Sequence, residues 1–307
     1  MTSDTTRAAS GAHRTAGDVL AGLDLTGRTA VVTGGYSGLG LATTLALTGA
    51  GARVVVPARR PDAARQALDG VAGAEVDRLD LGDLDSVRAF AERFRRDHAA
   101  LDILIANAGI MACPETRVGP GWEAQFATNH LGHYALTSLL WPALTAAGTA
   151  RVVSVTSGRS PDWRIRWDDV HFAHGYDKWE AYGQSKLANV LFAHHLDLLG
   201  ASYGVRAFSA NPGWIRTPLQ RHLAASEMVA AGWIDADGVS TPGLFKTVDQ
   251  GAATQLWAAT SGDLDGYGGD YCTDCHVPDG DPIDSADAAR LWALSADLTG
   301  LDLDASS

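Results

Sequence analysis

The chain has 307 residues, 46% of them hydrophobic, so it is long enough to bury a sizeable core. Its formal net charge is −12, and an acidic balance without a basic stripe argues against a nucleic-acid partner. No apolar run is long enough to cross a bilayer, and the 3 cysteines do not make a secreted disulfide framework. We therefore predict a cytoplasmic protein with reduced thiols and no membrane span.

The two ends of the chain are expected to lie outside the folded domain. Residues 1–17 are rich in Thr, Ser, Ala and Gly and lack the apolar region of a secretory signal. We predict a flexible arm over 1–24, one domain over 25–300 and a tail over 301–307.

Between these ends, β-branched apolar runs alternate with helical patterns. The predicted strands are Thr29–Thr33, Arg53–Val56, Val76–Leu79, Asp102–Ala106, Arg151–Val155, Val205–Ala210 and, at the edge, Tyr267–Cys272. The predicted helices are Leu39–Ala50, one from about Pro61, Asp83–His98, Trp122–Ala146, Glu180–Ser202, Asp249–Thr260 and Ser285–Leu298. Strands that are apolar throughout indicate a parallel sheet covered on both faces. The predicted fold class is α/β: a single doubly wound Rossmann-type domain with a mostly parallel seven-stranded sheet and helices on both faces.

One long segment, about residues 213–247, is rich in Gly, Pro and Trp and has weak periodicity, which is typical of a substrate lid. Its apolar residues are Trp214, Ile215, Leu219, Met228, Trp233, Leu244 and Phe245. These side chains either line an apolar substrate pocket or pack the lid onto the domain, and for most of them we favour packing.

A glycine-rich turn joins the first strand to the first long helix, with Thr33 and Gly34 followed by Gly38, Leu39 and Gly40. Glycines permit a positive φ and remove the Cβ atoms that would keep an anion away. The helix that follows offers free N–H groups and the positive end of its dipole. The turn therefore indicates a dinucleotide pyrophosphate site, although an ordinary glycine-rich turn is the simpler alternative.

The end of the second strand bears on the choice of nucleotide. It reads Ala58-Arg59-Arg60 and lacks the carboxylate that would bind a ribose 2′-hydroxyl. A guanidinium at Arg59 can stack on adenine and pair with a 2′-phosphate, which favours NADP(H) over NAD(H). The alternative is that both arginines are solvated loop residues.

Polar side chains with catalytic chemistry gather at predicted strand ends and on one helix. Tyr182 and Lys186 share a helix face because they are 4 residues apart. A nearby ammonium is expected to lower the pKa of a phenol, so that Tyr182 can exchange a proton with a substrate oxygen. Ser157 ends the fifth strand, Asn107-Ala108-Gly109 follows the fourth, and Asn129 lies inside the long helix after it.

Taken in this order, the motifs resemble those of the short-chain dehydrogenase/reductase family. The T-G-x-x-x-G-x-G turn, Asn107–Gly109, Asn129, Ser157 and the Tyr182–Lys186 pair all fall where that family has them. The stretch Ala181–Phe192 is similar to the retinol-dehydrogenase-like branch, and protochlorophyllide reductases are also similar. The resemblance covers about residues 27–300. Ala106 departs from the family, which often has Asn there.

The resemblance implies roles for individual residues. Tyr182 would be the general acid/base, Ser157 would orient the carbonyl, Lys186 would bind the nicotinamide ribose, and Asn129 would support a proton-relay water. The residues expected to bind the cofactor are Thr33, Gly34, Tyr36, Ser37, Gly38, Leu39, Gly40, Arg59, Asp80, Leu81, Asn107, Ala108, Gly109, Tyr182, Lys186, Pro212, Gly213, Trp214, Ile215 and Thr217.

The predicted function is an NADP(H)-dependent oxidoreductase that moves a hydride between the nicotinamide and a small, moderately hydrophobic ketone, aldehyde or secondary alcohol. Two alternatives are a reductase of an activated C=C bond and a non-catalytic module that senses NADP. Cys272, Cys275 and His276 match the C-x-x-C-H haem pattern, but no export signal accompanies them and we expect no haem. No zinc ligand set is evident, so no metal is predicted. The sequence leaves open whether the chain forms a homo-oligomer.

Overall fold

The computed structural model describes residues 13–303. Its strands are β1 (Thr29–Val32), β2 (Arg53–Ala58), β3 (Ala74–Arg78), β4 (Ile103–Ala106), β5 (Arg117–Val118), β6 (Trp122–Glu123), β7 (Ala150–Val155), β8 (Val205–Asn211) and β9 (Tyr271–Thr273). Seven of them form one sheet in the order β3-β2-β1-β4-β7-β8-β9, while β5 and β6 make a separate short hairpin. Every pairing in the large sheet is parallel. The predicted fold class is confirmed.

Helices cover both faces of this sheet. They are α1 (Ala16–Leu20), α2 (Gly38–Gly49), α3 (Pro61–Ala67), α4 (Leu84–Asp97), α5 (Gly132–Ala147), α6 (Lys178–Gly200), α7 (Ala225–Ala230), α8 (Val248–Thr260) and α9 (Ser285–Thr299). Helices α1, α2 and α8 contact one another on one face, and α4, α5, α6 and α9 lie on the other. Successive side chains of a strand point to opposite faces, so Val54 and Val56 belong to one apolar core and Val55 belongs to the other.

The strand order reverses between β1 and β4. The chain first builds outward through β2 and β3, then returns to place β4, β7, β8 and β9 on the other side of β1. At such a reversal the connections that leave the carboxyl ends of neighbouring strands diverge and open a crevice. The ends of β1 and β4 therefore position the site described below.

The long helix predicted over Trp122–Ala146 is divided in the structure. Its first residues form β6 and a short helical turn, Ala124–Phe126, whose backbone N–H groups are capped by the buried Glu123 carboxylate. A π-helical turn over Ala127–Leu131 precedes α5. Such turns contain an extra residue and are frequent at functional sites.

The amino-terminal region differs from the predicted arm. Residues 1–12 lie outside the described part of the chain, but α1 begins with a capping box between Thr15 and Asp18. Ala16, Val19 and Leu20 are buried in the core beside α8. Because α1 carries its own apolar face and cap, the domain begins before residue 25.

Two smaller differences occur near the other end. The edge strand is Tyr271–Thr273 rather than Tyr267–Cys272, because Gly269 has a φ of +73° and turns the chain just before it. The beginning of the predicted tail is docked, since the Trp292 indole donates to Asp302 at 2.9 Å and Leu301 packs on the core. Residues 304–307 lie outside the described range. Within residues 13–303, no helix combines the length and apolarity that a membrane crossing requires.

Candidate active site

The turns that follow β1 and β4 meet at the hydroxyl of Thr33. Its Oγ1 accepts the backbone N–H groups of Asn107 and Ala108, each at 2.9 Å. The side-chain amide of Asn107 donates back to the Thr33 carbonyl, also at 2.9 Å. These three hydrogen bonds join the glycine-rich turn to the Asn107–Gly109 loop.

Two glycines of the first turn are required by close backbone contact. Gly34 has a φ of +66°, and a Cβ atom on Gly40 would lie 2.3 Å from the carbonyl oxygen of Gly34. Helix α2 can therefore begin directly against the turn. The N-cap residue of α2 is Ser37, and within the described part of the chain its side chain makes no capping hydrogen bond. The first turn of the helix therefore keeps free backbone N–H groups that can bind an anion.

A cleft of about 380 Å³ runs along this edge of the sheet. It is lined by the predicted cofactor residues Thr33, Gly34, Tyr36, Ser37, Gly38, Leu39, Gly40, Arg59, Asp80, Leu81, Asn107, Ala108, Gly109 and Thr217. It is also lined by residues that were not among the predicted cofactor contacts, namely Pro57, Arg60, Leu79, Ile110, Thr128, Pro218, Leu219 and Arg221. No sequence signal marked Arg221 or Thr128, because one lies in the irregular segment and the other in the π-helical turn.

Two arginines stand where the cleft passes the end of β2. Arg59 and Arg60 are both exposed and both line the cleft. Within the described part of the chain, neither has a salt-bridge partner. This end of the cleft is therefore suited to an anionic group.

Two of the predicted catalytic side chains, Tyr182 and Lys186, lie together beside the loop that follows β4. Tyr182 and Lys186 are buried on α6, with the Lys186 ammonium 5.7 Å from the centroid of the Tyr182 ring. The ammonium donates to the carbonyl of Val155 at 3.1 Å, two residues before Ser157. A Cβ atom on Gly109 would lie 3.6 Å from Lys186 Nζ, so the lysine abuts the wall of the cleft.

Burial shifts the pKa values of this pair in opposite directions. It raises the pKa of Tyr182 to about 12, and a hydrogen bond with the side chain of Ser157 opposes that rise. It lowers the pKa of Lys186 to about 8. The expectation that Lys186 lowers the pKa of Tyr182 is not met in this structure, because desolvation of the phenol dominates. The phenol of Tyr182 is therefore protonated at neutral pH.

Asn129 lies in the π-helical turn and is fully buried. Its side-chain oxygen accepts the N–H of Ile110 at 2.8 Å, and its amide donates to the Ile110 carbonyl and to Ser185 Oγ, both at 2.9 Å. Asn129 thus ties the loop after β4 to the helix that carries Tyr182.

The irregular segment covers Tyr182. Leu223 is buried against the tyrosine together with Met111 and Ala112, and Leu219, Met228 and Trp233 pack around them. Six of the predicted cofactor residues do not line the cleft, namely Tyr182, Lys186, Pro212, Gly213, Trp214 and Ile215. Of these, Trp214 is half exposed and packs edge-on against Trp233, with ring centroids 5.4 Å apart.

A family model described as short chain dehydrogenase matches residues 28–228. The chain belongs to the short-chain dehydrogenase family. It is 45% identical to a "Probable oxidoreductase" of Streptomyces lividans, in an alignment of 296 positions that covers 90% of this chain and 98% of that protein. It is 36% identical to retinol dehydrogenase 14 of Mus musculus, over 90% of this chain and 86% of that one. The predicted family and its retinol-dehydrogenase-like branch are confirmed.

Solved structures agree with this assignment. The Pseudomonas aeruginosa RhlG/NADP active-site complex aligns with a TM-score of 0.62 and 25% identity, covering 81% of this short-chain dehydrogenase and 95% of that chain. The protein is therefore an oxidoreductase of this family that acts on a small molecule.

Replacing Lys186 by Met should make this short-chain dehydrogenase more stable near pH 7, by about 1–3 kcal/mol in the free energy of unfolding. In the folded wild type the lysine has a pKa lowered from 10.5 to about 8, so the unfolded chain binds the proton more tightly. The free-energy cost of burying the charged lysine applies fully below about pH 8 and decreases as the pH rises toward 10.5. The Val155 carbonyl keeps a partner in the variant, because Asn189 also donates to it at 3.0 Å.

Urea unfolding of both proteins between pH 7 and pH 10 measures this difference. The gain from Lys186→Met should shrink as the pH rises. A variant that is less stable than wild type at pH 7, or a difference that does not change with pH, would contradict a buried ammonium at this position.

Proposed function

We propose that this protein is a cytoplasmic NADP(H)-dependent oxidoreductase whose substrate is a moderately hydrophobic ketone, aldehyde or secondary alcohol. The proposal rests mainly on a buried, protonated Tyr182 with Ser157 beside its hydroxyl, on the helix whose Lys186 reaches Gly109 in the lining of the cleft. A module that only sensed NADP would have no use for this arrangement.

The residues of the cleft fit a dinucleotide with a 2′-phosphate. The glycine-rich turn and the uncapped first turn of α2 suit a pyrophosphate. Arg59 and Arg60 offer two guanidinium groups at the end of β2, where an NAD-binding site would present a carboxylate. The solved RhlG structure is a complex with NADP, which supports the same choice of nucleotide here.

The reaction requires hydride and proton delivery at one carbonyl group. Bound NADPH supplies the hydride. The Tyr182 hydroxyl hydrogen-bonds the carbonyl oxygen and gives it a proton as negative charge develops there. Ser157 donates a second hydrogen bond to the same oxygen and keeps it within hydrogen-bonding distance of the Tyr182 hydroxyl. Lys186 lies beneath the pair, so its ammonium stabilises the phenolate that remains.

The surroundings of Tyr182 favour an apolar substrate. Met111, Leu223, Leu219 and Met228 lie about the tyrosine, and they exclude water from the reacting atoms. A polar environment would instead solvate the carbonyl and weaken each hydrogen bond made to it.

Tyr182→Phe should reduce kcat for carbonyl reduction by about 10²–10⁴, because the ring and its packing are kept while the proton donor is lost. The Kd for NADPH should stay within a few-fold of wild type, since the cleft lining is untouched. Tyr203→Phe provides a matched control, because Tyr203 is 44% exposed and lies after the far end of α6. Near wild-type turnover in Tyr182→Phe would refute the mechanism and favour reduction of an activated C=C bond with another proton donor.

Arg59→Ala should weaken NADPH binding by roughly ten- to a hundredfold, the scale of a charge-assisted hydrogen bond of about 1.5–3 kcal/mol. NADH binding should hardly change, because NADH lacks the 2′-phosphate. Titration of both nucleotides into wild type, Arg59→Ala and Arg60→Ala assigns the contact to one arginine or to both. Arg65→Ala is the control for net charge, since Arg65 is on α3 and pairs with Asp62. Equal affinity of the wild type for NADH and NADPH would overturn the proposed preference.

A further inference from the structure

We infer that His133 is a positioning residue of the cofactor site. It holds the Thr33 hydroxyl in a fixed orientation relative to the π-helical turn that contains Asn129. The inference rests on the proposed function, because it assigns His133 to the residues around the NADP cleft. His133 is the second residue of α5 and is buried, with 2% of its surface exposed. Neither the glycine-rich motif nor the Tyr182–Lys186 pair points to it.

The hydrogen bonds of His133 determine which of its nitrogens carries the proton. Its Nδ1 lies 2.9 Å from the carbonyl oxygen of Asn129. A carbonyl oxygen can only accept, so Nδ1 must be protonated. Burial, helped by the charge of Lys186 and opposed by the hydrogen bond to Asn129, lowers the pKa of His133 to about 4, so the ring is neutral. Its other nitrogen, Nε2, is consequently an acceptor.

Thr33 is the donor that this acceptor needs. Thr33 Oγ1 lies 2.9 Å from His133 Nε2 and 3.3 Å from the carbonyl of Ile105. A hydroxyl has one proton and two lone pairs. The shorter contact to His133 takes the proton, which leaves both lone pairs for the N–H groups of Asn107 and Ala108. His133 thus orients the hydroxyl that joins the two turns.

The same helical turn is held against a third segment. A Cβ atom on Gly132 would lie 2.3 Å from the carbonyl oxygen of Leu81, which lines the cleft. A larger residue at 132 would collide with this carbonyl, while the next residue, His133, contacts Thr33 at the end of β1. The turn therefore connects Asn129, the glycine-rich turn and the Asp80–Leu81 wall.

Replacing His133 tests this assignment with a matched partner on the same helical stretch. His133→Phe keeps the ring but removes both hydrogen bonds, whereas His133→Gln keeps an amide at the position of Nε2. His130→Phe is the control. His130 is also buried, and its Nε2 lies 2.7 Å from Ser295 Oγ on α9, away from the cleft.

His133→Phe should weaken NADPH binding about tenfold and lower kcat about tenfold, as expected for a lost buried hydrogen bond. His133→Gln should recover most of the NADPH affinity by restoring the Thr33 contact. His130→Phe should lower Tm but leave NADPH affinity and kcat within about twofold, since no site residue depends on it. Equal losses of Tm in both Phe variants, with NADPH affinity unchanged in both, would overturn the inference.

Nitrogen-15 spectra of histidine-labelled wild-type protein give a readout that needs no activity and uses only the conservative variant, His133→Gln, for assignment. The resonances of His133, assigned by their absence from His133→Gln, should show a neutral ring protonated on Nδ1. A ring protonated on Nε2, or a cationic ring at pH 7, would also overturn the inference. If the wild type fails to bind NADPH, the proposed function is refuted, whereas the tautomer still tests the hydrogen-bond geometry by itself.

Discussion

Burial of the Lys186 ammonium is the constraint on which the active site depends. An ammonium taken out of water loses several kcal/mol of solvation unless hydrogen bonds replace the water. Here the Val155 carbonyl supplies one such bond, at the end of a central strand whose position is fixed by the sheet. The cost of burial is expressed in a pKa that is lowered to about 8. The Lys186 ammonium thereby lies 5.7 Å from the ring centroid of Tyr182, whose phenol burial keeps protonated.

The rest of the fold holds α6 where this arrangement requires it. The helix contacts β7 and β8 on one side and α9 on the other. Trp292 of α9 stacks on Phe192 of α6, with the ring planes at 3° to each other and the centroids 5.9 Å apart. The hydrogen bond from the Asn129 amide to Ser185 Oγ links α6 to Ile110 in the loop after β4, which Asn129 also contacts. The side chains proposed as catalytic are thus positioned by packed helices and strands, which suits a reaction that tolerates little displacement.

The sequence was sufficient for the fold and for much of the site, because both rest on local signals. Continuous apolar strands predicted the parallel sheet, and the carboxyl-end rule placed the glycine-rich turn and Asn107–Gly109 together. The 4-residue spacing placed Tyr182 above Lys186 on one helix face.

What the sequence did not show depends on contacts between distant segments. The pKa of Tyr182 depends on how completely the irregular segment buries its side chain, and no local sequence pattern predicts that burial. The π-helical turn, the docking of α1 and the contact of His133 with Thr33, 100 positions away, are likewise properties of the packed structure. The edge-on contact of Trp214 with Trp233, within the irregular segment, is another such property.

Hydride transfer to a carbonyl carbon can be followed with NADPH in which both hydrogens at C4 are deuterium. The best substrate of an NADPH-consumption screen is reduced by the wild-type protein, and the product is examined by mass spectrometry and NMR. We expect one deuterium bound to the former carbonyl carbon and a solvent proton on the oxygen. A product with deuterium on a former alkene carbon, or with no deuterium at all, would contradict this expectation.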